Sequence, residues 1–234
     1  MDSLSHNWNV SPKEAVEIQK KLQNKVKLQP LEMTLGHEIR TIAGADISFN
    51  RFEDDVYAGF IVLSYPDLKE IARSLVKSTA TFPYIPGLLS FREIPSLLEA
   101  WEKLQTKPDL VVVDGQGIAH PRRLGIASHF GIIANVPTIG SAKSLLTGTF
   151  DEPAASAGSL SSIHDRYKPD EIIGAAIRTK VRSKPIIVSP GHLITMEESI
   201  SIMLECGRGY RIPEPTRLAH EMVNEFRRSH LKKP

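Results

Sequence analysis

Apolar positions along the chain follow two periods, and the change from one to the other predicts most of the elements. Ser11-Pro12-Lys13-Glu14 reads as a capping box with proline in the first helical turn, and Ala15, Ile18, Leu22 and Val26 recur at helical spacing until Pro30 stops the pattern. Three strands are then predicted, Thr41–Phe49, 56–65 and 69–80, joined by the polar turn 50–55 and by Pro66-Asp67. Connections this short imply an antiparallel meander. Residues 81–87 form a stiff loop in which Pro83 and Pro86 bracket Tyr84 and Ile85. A helix over 88–104 carries the stripe Ile94, Leu97, Leu98, Trp101 and Leu104, with Glu93 at its start, where Pro95 is still tolerable. The β-branched run Leu110–Val113 predicts a buried strand ending on Asp114. Pro121 marks a possible helix start, with Leu124, Ile126, Ala127, Phe130 and Ile133 as apolar positions. A fifth strand is expected over 136–140, with Lys143 just beyond it.

The second half is less regular. Residues 150–170, rich in Ser, Ala, Asp and Pro, read as an excursion or long loop. Strands are expected over 171–178 and 185–189, as a hairpin through 180–184, with Pro190-Gly191-His192 as a turn. Thr195 caps a helix over 195–204 with Glu198 three residues on, and Gly207 and Gly209 break it. A last helix over 215–228 places Leu218, Ala219, Met222, Val223 and Phe226 on one side. Three antiparallel strands, helix, strand, helix, strand is the order of the ribonuclease H-like fold. The expectation is therefore an α/β single domain, 1–234, with a central mixed five-stranded sheet flanked by helices. Its core spans roughly 38–145, and strand and helix additions fill 146–234.

Composition narrows the class. Hydrophobic content of 41% and charged content of 24% fit a soluble globular protein. No run approaches the roughly 20 apolar residues of a bilayer span, and residues 1–10 lack a signal-peptide core. The single cysteine, Cys206, makes no internal disulfide, which points to a reducing, cytoplasmic setting. With a net charge of +2, a nucleic-acid partner would have to meet a local basic patch. Candidates are Arg122 with Arg123; Arg178, Lys180, Arg182 and Lys184; and Arg208, Arg211, Arg217, Arg227 and Arg228. Each set alone reads first as a solvated face.

Asp46 lies inside a predicted strand, where aspartate is depleted and an unpaired buried charge is costly. In the expected topology the first strand lies beside the fourth, so Asp46 and Asp114 face one another. Two carboxylates so close repel unless a cation sits between them, and hard oxygen donors favour Mg²⁺ or Mn²⁺. Paired zinc-type cysteines, a His-Glu-x-x-His helix and a phosphate-binding Gly-x-x-x-x-Gly-Lys-Ser/Thr loop are all absent, and Ser141-Ala142-Lys143-Ser144 lacks the glycines of such a loop.

Six stretches, in order, carry a family resemblance: Ile42-Ala43-Gly44-Ala45-Asp46-Ile47-Ser48-Phe49; Phe82 to Glu93; Asp114-Gly115-Gln116-Gly117 through His120-Pro121-Arg122-Arg123-Leu124-Gly125; Thr138 to Ser144; Val188 to His192; and Arg211 to His220. Over nearly its whole length the chain resembles endonuclease V, the deoxyinosine-directed repair nuclease. Ser141 is a mild departure, standing where valine or another small residue is common. The resemblance implies hydrolysis of the second phosphodiester 3′ to hypoxanthine, leaving 3′-hydroxyl and 5′-phosphate ends. It implies Asp46 and Asp114 as Mg²⁺ ligands (Mn²⁺ able to substitute) and Glu93 as a further acidic member. His220 would orient or activate water, and Lys143 would offset phosphate charge. Pro83, Tyr84, Ile85 and Pro86 match a strand-separating wedge, which has a physical rationale: a base held in a pocket must leave the stack, and an inserted aromatic fills the gap. Gly87, Leu89, Gly115 and Gly117 are expected in the base pocket, where close backbone near Leu89 and Gly115 would exclude the 2-amino group of guanine. Arg92, His120, Arg122 and Arg123 are expected at phosphates, while His192 has no assigned role. The partner implied is DNA containing deoxyinosine, acted on by a monomer without membrane attachment. Inosine in RNA, a lesion-binding protein that cleaves weakly, and a hydrolase of small phosphate esters are the competing readings.

Overall fold

The computed structural model describes residues 6–50 and 53–231. Residues 1–5 of the polar N-terminus, and Arg51 and Phe52 of the predicted turn, lie outside the described residues. The elements are α1 (Pro12–Leu22), a 3₁₀ turn (Gln23–Lys25), α2 (Leu31–Leu35), β1 (Thr41–Phe49), β2 (Asp55–Ser64), β3 (Glu70–Thr79), α3 (Leu89–Lys103), β4 (Leu110–Val113), α4 (Ile126–Ala134), β5 (Thr138–Ala142), β6 (Leu160–His164), β7 (Ile172–Ile177), β8 (Ile186–His192), α5 (Met196–Glu205) and α6 (Glu214–Ser229). Both predicted capping boxes form, Ser11 with Glu14 and Thr195 with Glu198.

Among the described residues, eight strands join one mixed sheet in the order β3-β2-β1-β4-β5-β8-β7-β6. The first five make the ribonuclease H-like arrangement, a β1–β2–β3 meander with β4 and β5 parallel to β1. The C-terminal strands prolong the same sheet past β5, with β8 antiparallel to it. Strand alternation sorts the core into two layers. Ala43, Ala45, Val111 and Val113 pack with Ile94 and Leu97 of α3 and with Phe130 of α4. Ile42, Leu110 and Val112 pack with Met203 of α5 and with Met222 and Val223 of α6. Burial of each valine, leucine, isoleucine, phenylalanine or methionine among these contributes roughly 1.5–3 kcal/mol.

Several expectations change. Residues 150–170 are not merely a loop: β6 forms there as an edge strand on β7. Pro190-Gly191-His192 is the end of β8 rather than a turn. Its pairing with β5 carries a register shift at Thr138/Ile139, and bulges are where proline and glycine are tolerated in sheets. The fourth helix starts at Ile126, after Gly125, and Pro121 lies in the preceding turn, where Arg123 takes a φ of 54°. Because α3 starts at Leu89, Glu93 and Pro95 lie within the helix, not at its first turn.

Candidate active site

The sheet register builds the centre. Ala45 pairs with Val113, and the Asp114 N–H donates to the Ala45 carbonyl at 3.1 Å, so Asp46 and Asp114 stand side by side where β4 ends. Asp46 shares the strand face of Ile42 and Gly44, the face covered by α6. Gly44 permits that cover: a Cβ on it would lie 1.8 Å from the Pro215 carbonyl oxygen. The start of α6 therefore rests on bare β1 backbone, and farther along the helix His220 reaches Asp46 with Nδ1 2.9 Å from Oδ2. Asp46, Asp114 and His220 each offer a ligand atom within 4.8 Å of the others. Lys143, beyond β5, donates to Asp114 Oδ2 at 2.5 Å.

The electrostatics are those of a strained acidic cluster. Burial pushes the Asp46 carboxyl up; the His220 hydrogen bond opposes that, and nearby Asp114 adds to it. The hydrogen bond to Asp46 raises His220. Glu93, buried on α3, is pushed up to about 8 by burial and then by Asp46 and Asp114. A dication among these groups would reverse those penalties, and the donor set of carboxylates with one imidazole suits a hard divalent metal. The residues present fit such an ion.

A cavity of about 330 Å³ shares Asp114 and Lys143 with this cluster and is otherwise lined by Tyr84, Gly87, Leu89, Gly115 and Ile126 among others. Tyr84 is 61% exposed at its mouth, with its ring 6.4 Å from that of Phe49. At Gly115 a Cβ would meet Ile126 Cγ2 at 2.4 Å. Gly117 is not at the cavity: it packs against β8, where a Cβ would lie 2.2 Å from the Pro190 carbonyl oxygen.

The residues expected at phosphates are engaged inside the protein instead. Arg92 is buried, donates to the Phe82 carbonyl at 2.9 Å and the Glu53 carbonyl at 3.1 Å, and lies over the Phe49 ring. Arg123 pairs with Asp165 and Glu171, both at 2.7 Å. Arg122 donates to the Gly87 carbonyl at 2.6 Å and to Gln19 Oε1 at 2.5 Å. His120 is held down to about 4 by burial and by Arg122. Its Nδ1 accepts from the Arg122 N–H, so Nε2 carries the proton and donates to the same Gly87 carbonyl at 3.1 Å. Gln19 donates to that carbonyl as well, at 3.1 Å.

Sequence reading missed Gly44, Gln19 and the pair His6–His129. The last two join through Nε2 atoms 2.8 Å apart, and His129 Nδ1 reaches Ser90 Oγ in the cavity wall. A polar Gln19 on the buried side of α1 was the available signal for its contacts with Arg122 and the Gly87 carbonyl. His192 accepts from the Lys27 N–H and is pushed down to about 4 by burial. Among the described residues no helix is long and apolar enough to cross a membrane.

Comparison with known proteins points one way. The family model described as Endonuclease V matches residues 20–221. The Gloeobacter violaceus Endonuclease V is 47% identical over 227 residues, which cover 96% of this chain and 89% of that protein. The crystal structure of Endonuclease V from Streptomyces avermitilis superposes with a TM-score of 0.87 at 34% identity, covering 97% of each chain. That of Ciona intestinalis Endonuclease V, in complex with a 24mer DNA containing an inosine followed by a ribo-adenosine, superposes with a TM-score of 0.80 at 28% identity, over 93% of this chain and 98% of that one.

Proposed function

The chain belongs to the endonuclease V family, a family of DNA-repair nucleases, and from that premise we propose that it hydrolyses the second phosphodiester 3′ to hypoxanthine in DNA, leaving 3′-hydroxyl and 5′-phosphate ends. The observation that carries the reading is the shared wall: Asp114 and Lys143 belong both to the carboxylate cluster and to a base-sized cavity with an exposed tyrosine at its mouth. A flipped purine and a phosphate downstream of it can therefore be held at once.

In this reading Asp46 and Asp114 would hold Mg²⁺, or Mn²⁺ in its place, and the cation's charge would favour the ionised form of the neighbouring Glu93. The cation supplies Lewis-acid polarisation of a phosphoryl oxygen and a water of lowered pKa. His220 keeps its Nδ1 on Asp46 and turns Nε2 toward the attacking water, holding it in line. Lys143 exchanges its contact with Asp114 for the charge that builds on the phosphate. Tyr84 fills the gap left by the flipped base, while Pro83, Ile85 and Pro86 keep its loop stiff. Leu89 and the Gly115 backbone close the cavity against the 2-amino group of guanine. The single buried cysteine fits a reducing cytoplasm, and one chain suffices for all of these roles.

The test is a nicking assay on a labelled duplex with one central hypoxanthine, with Mg²⁺ or chelator present. A metal-dependent nick at the second phosphodiester 3′ to the lesion is the expected result. Specific binding without a nick would instead establish a lesion-binding protein. Gly115→Ala, which presses on Ile126, is expected to change the ratio of hypoxanthine to guanine cleavage. An unaltered ratio there and in Leu89→Ala removes the steric account of base choice.

A further inference from the structure

We propose that the β7–β8 hairpin is a second contact surface for nucleic acid, gripping the phosphate backbone away from the lesion by charge alone; the inference rests on the functional reading above. Lys180, Val181, Arg182 and Lys184 are all exposed at the hairpin tip. None of its three cations takes part in an ion pair among the described residues. The contrast with Arg178 at the hairpin's base is direct, since that arginine is buried on Glu152 and the Pro153 and Ala154 carbonyls.

Topology brings these charges to the same edge of the sheet as the carboxylates. Asp46 is on β1, Asp114 follows β4, Lys143 follows β5, and β8 begins beside the end of β5, where Ala142 pairs with Ile187. Strands lie about 4.8 Å apart, so the hairpin stands roughly 10–15 Å along that edge from the carboxylates. At about 3.4 Å per nucleotide step, that is three or four phosphates.

The hairpin is also held rigidly to the catalytic edge. Arg211 donates through Nε to the Lys184 carbonyl at 2.9 Å and through Nη2 to the Lys143 carbonyl at 2.8 Å. Thr179 Oγ1 donates back to the Arg211 carbonyl at 2.5 Å. Three uncommitted cations on a braced tip, at a fixed distance from the reacting phosphate, match a polyanionic strand that continues past the cut. Base edges are not needed for such a contact, so it is independent of sequence and of the lesion.

The test measures equilibrium binding by fluorescence anisotropy, in chelator, over a salt series, on plain and hypoxanthine-containing duplexes of equal length. The variant is Lys180→Gln/Arg182→Asn/Lys184→Gln. Asparagine is chosen at 182 because that residue has a φ of 57°, a conformation asparagine tolerates. Each lost phosphate contact lowers the slope of log affinity against log salt by about 1, so a fall of roughly 2–3 is expected on both duplexes, with an equal fold-loss of affinity. The control Lys103→Gln/Lys107→Gln removes charge where α3 leads into β4, at the opposite sheet edge, and leaves the slope in place. An unchanged slope in the triple variant, or a loss confined to the hypoxanthine duplex, overturns the proposal. If the wild type does not nick hypoxanthine duplex, the functional reading fails, while the slope on plain duplex still decides the hairpin.

Discussion

Two regions flank the carboxylate pair, and they are built from opposite materials. On the cavity side Arg92, Arg122, His120 and Gln19 are all spent on backbone carbonyls or on one another, and the cavity wall is largely apolar, with Leu89, Leu124, Ile126 and Tyr84 among its side chains. On the hairpin side Arg178 and Arg211 brace the frame, and Lys180, Arg182 and Lys184 are left for solvent. In the proposed readings the first region reads shape and the second holds charge. Residue type does not tell them apart, because arginine does structural work in both.

The largest effect separates the chemistry from either flank. Asp46→Asn removes a buried carboxylate from the cluster, and loss of several kcal/mol of transition-state stabilisation means roughly a thousandfold slower nicking. Binding to hypoxanthine duplex should persist, because neither flank is touched. Loss of binding in step with nicking would show that the flanks depend on the cluster.

Next comes the cavity mouth. Tyr84→Ala is expected to slow nicking of a duplex by about tenfold or more, since unstacking costs a few kcal/mol. A lesion already unpaired in a bubble should be cut nearly as fast as by the wild type. Equal slowing on both substrates would make Tyr84 a surface aromatic with no part in separation.

Arg122→Met tests the claim that cavity-side arginines are structural. It deprives the Gly87 carbonyl of a charged donor, at a cost of about 1–3 kcal/mol in urea unfolding. Preference for hypoxanthine should fall while the salt slope of binding stays that of the wild type. A fall in slope would move Arg122 to the charge-holding class.

The last effect is on acid stability. His120 is held near 4 in the fold against 6.5 in the unfolded chain. The unfolded state therefore binds more protons between those values, so the contribution is whole above about 6.5 and is lost as pH falls toward 4. His120→Gln keeps a donor for Gly87 without that proton. Its unfolding free energy between pH 7 and pH 4.5 should fall less steeply than that of the wild type.

Legibility in the sequence followed how local each cause was. The meander and β4 were readable because alternation and β-branching act residue by residue, and the adjacency of β1 and β4 follows from element order. The β6 strand was not readable: Ser161 and Ser162 give it little apolar alternation, and it is ordered by pairing with β7. At the end of β8, Pro190 and Gly191 look like a turn, yet they serve close approach: a Cβ on Gly191 would meet Thr138 Oγ1 at 2.3 Å. Within the site, the carboxylates stood out as charges in apolar surroundings. The internal engagement of Arg92, Arg122 and Arg123 did not, because their partners lie far away in sequence or are backbone carbonyls.

The seat of α6 on Gly44 ties one end of the described chain to the other at the carboxylates. Asp46 and His220 are 174 residues apart, and the histidine rides on the last helix described. A chain cut before α6 thus carries both carboxylates but not the imidazole that, in the proposed reading, orients the attacking water.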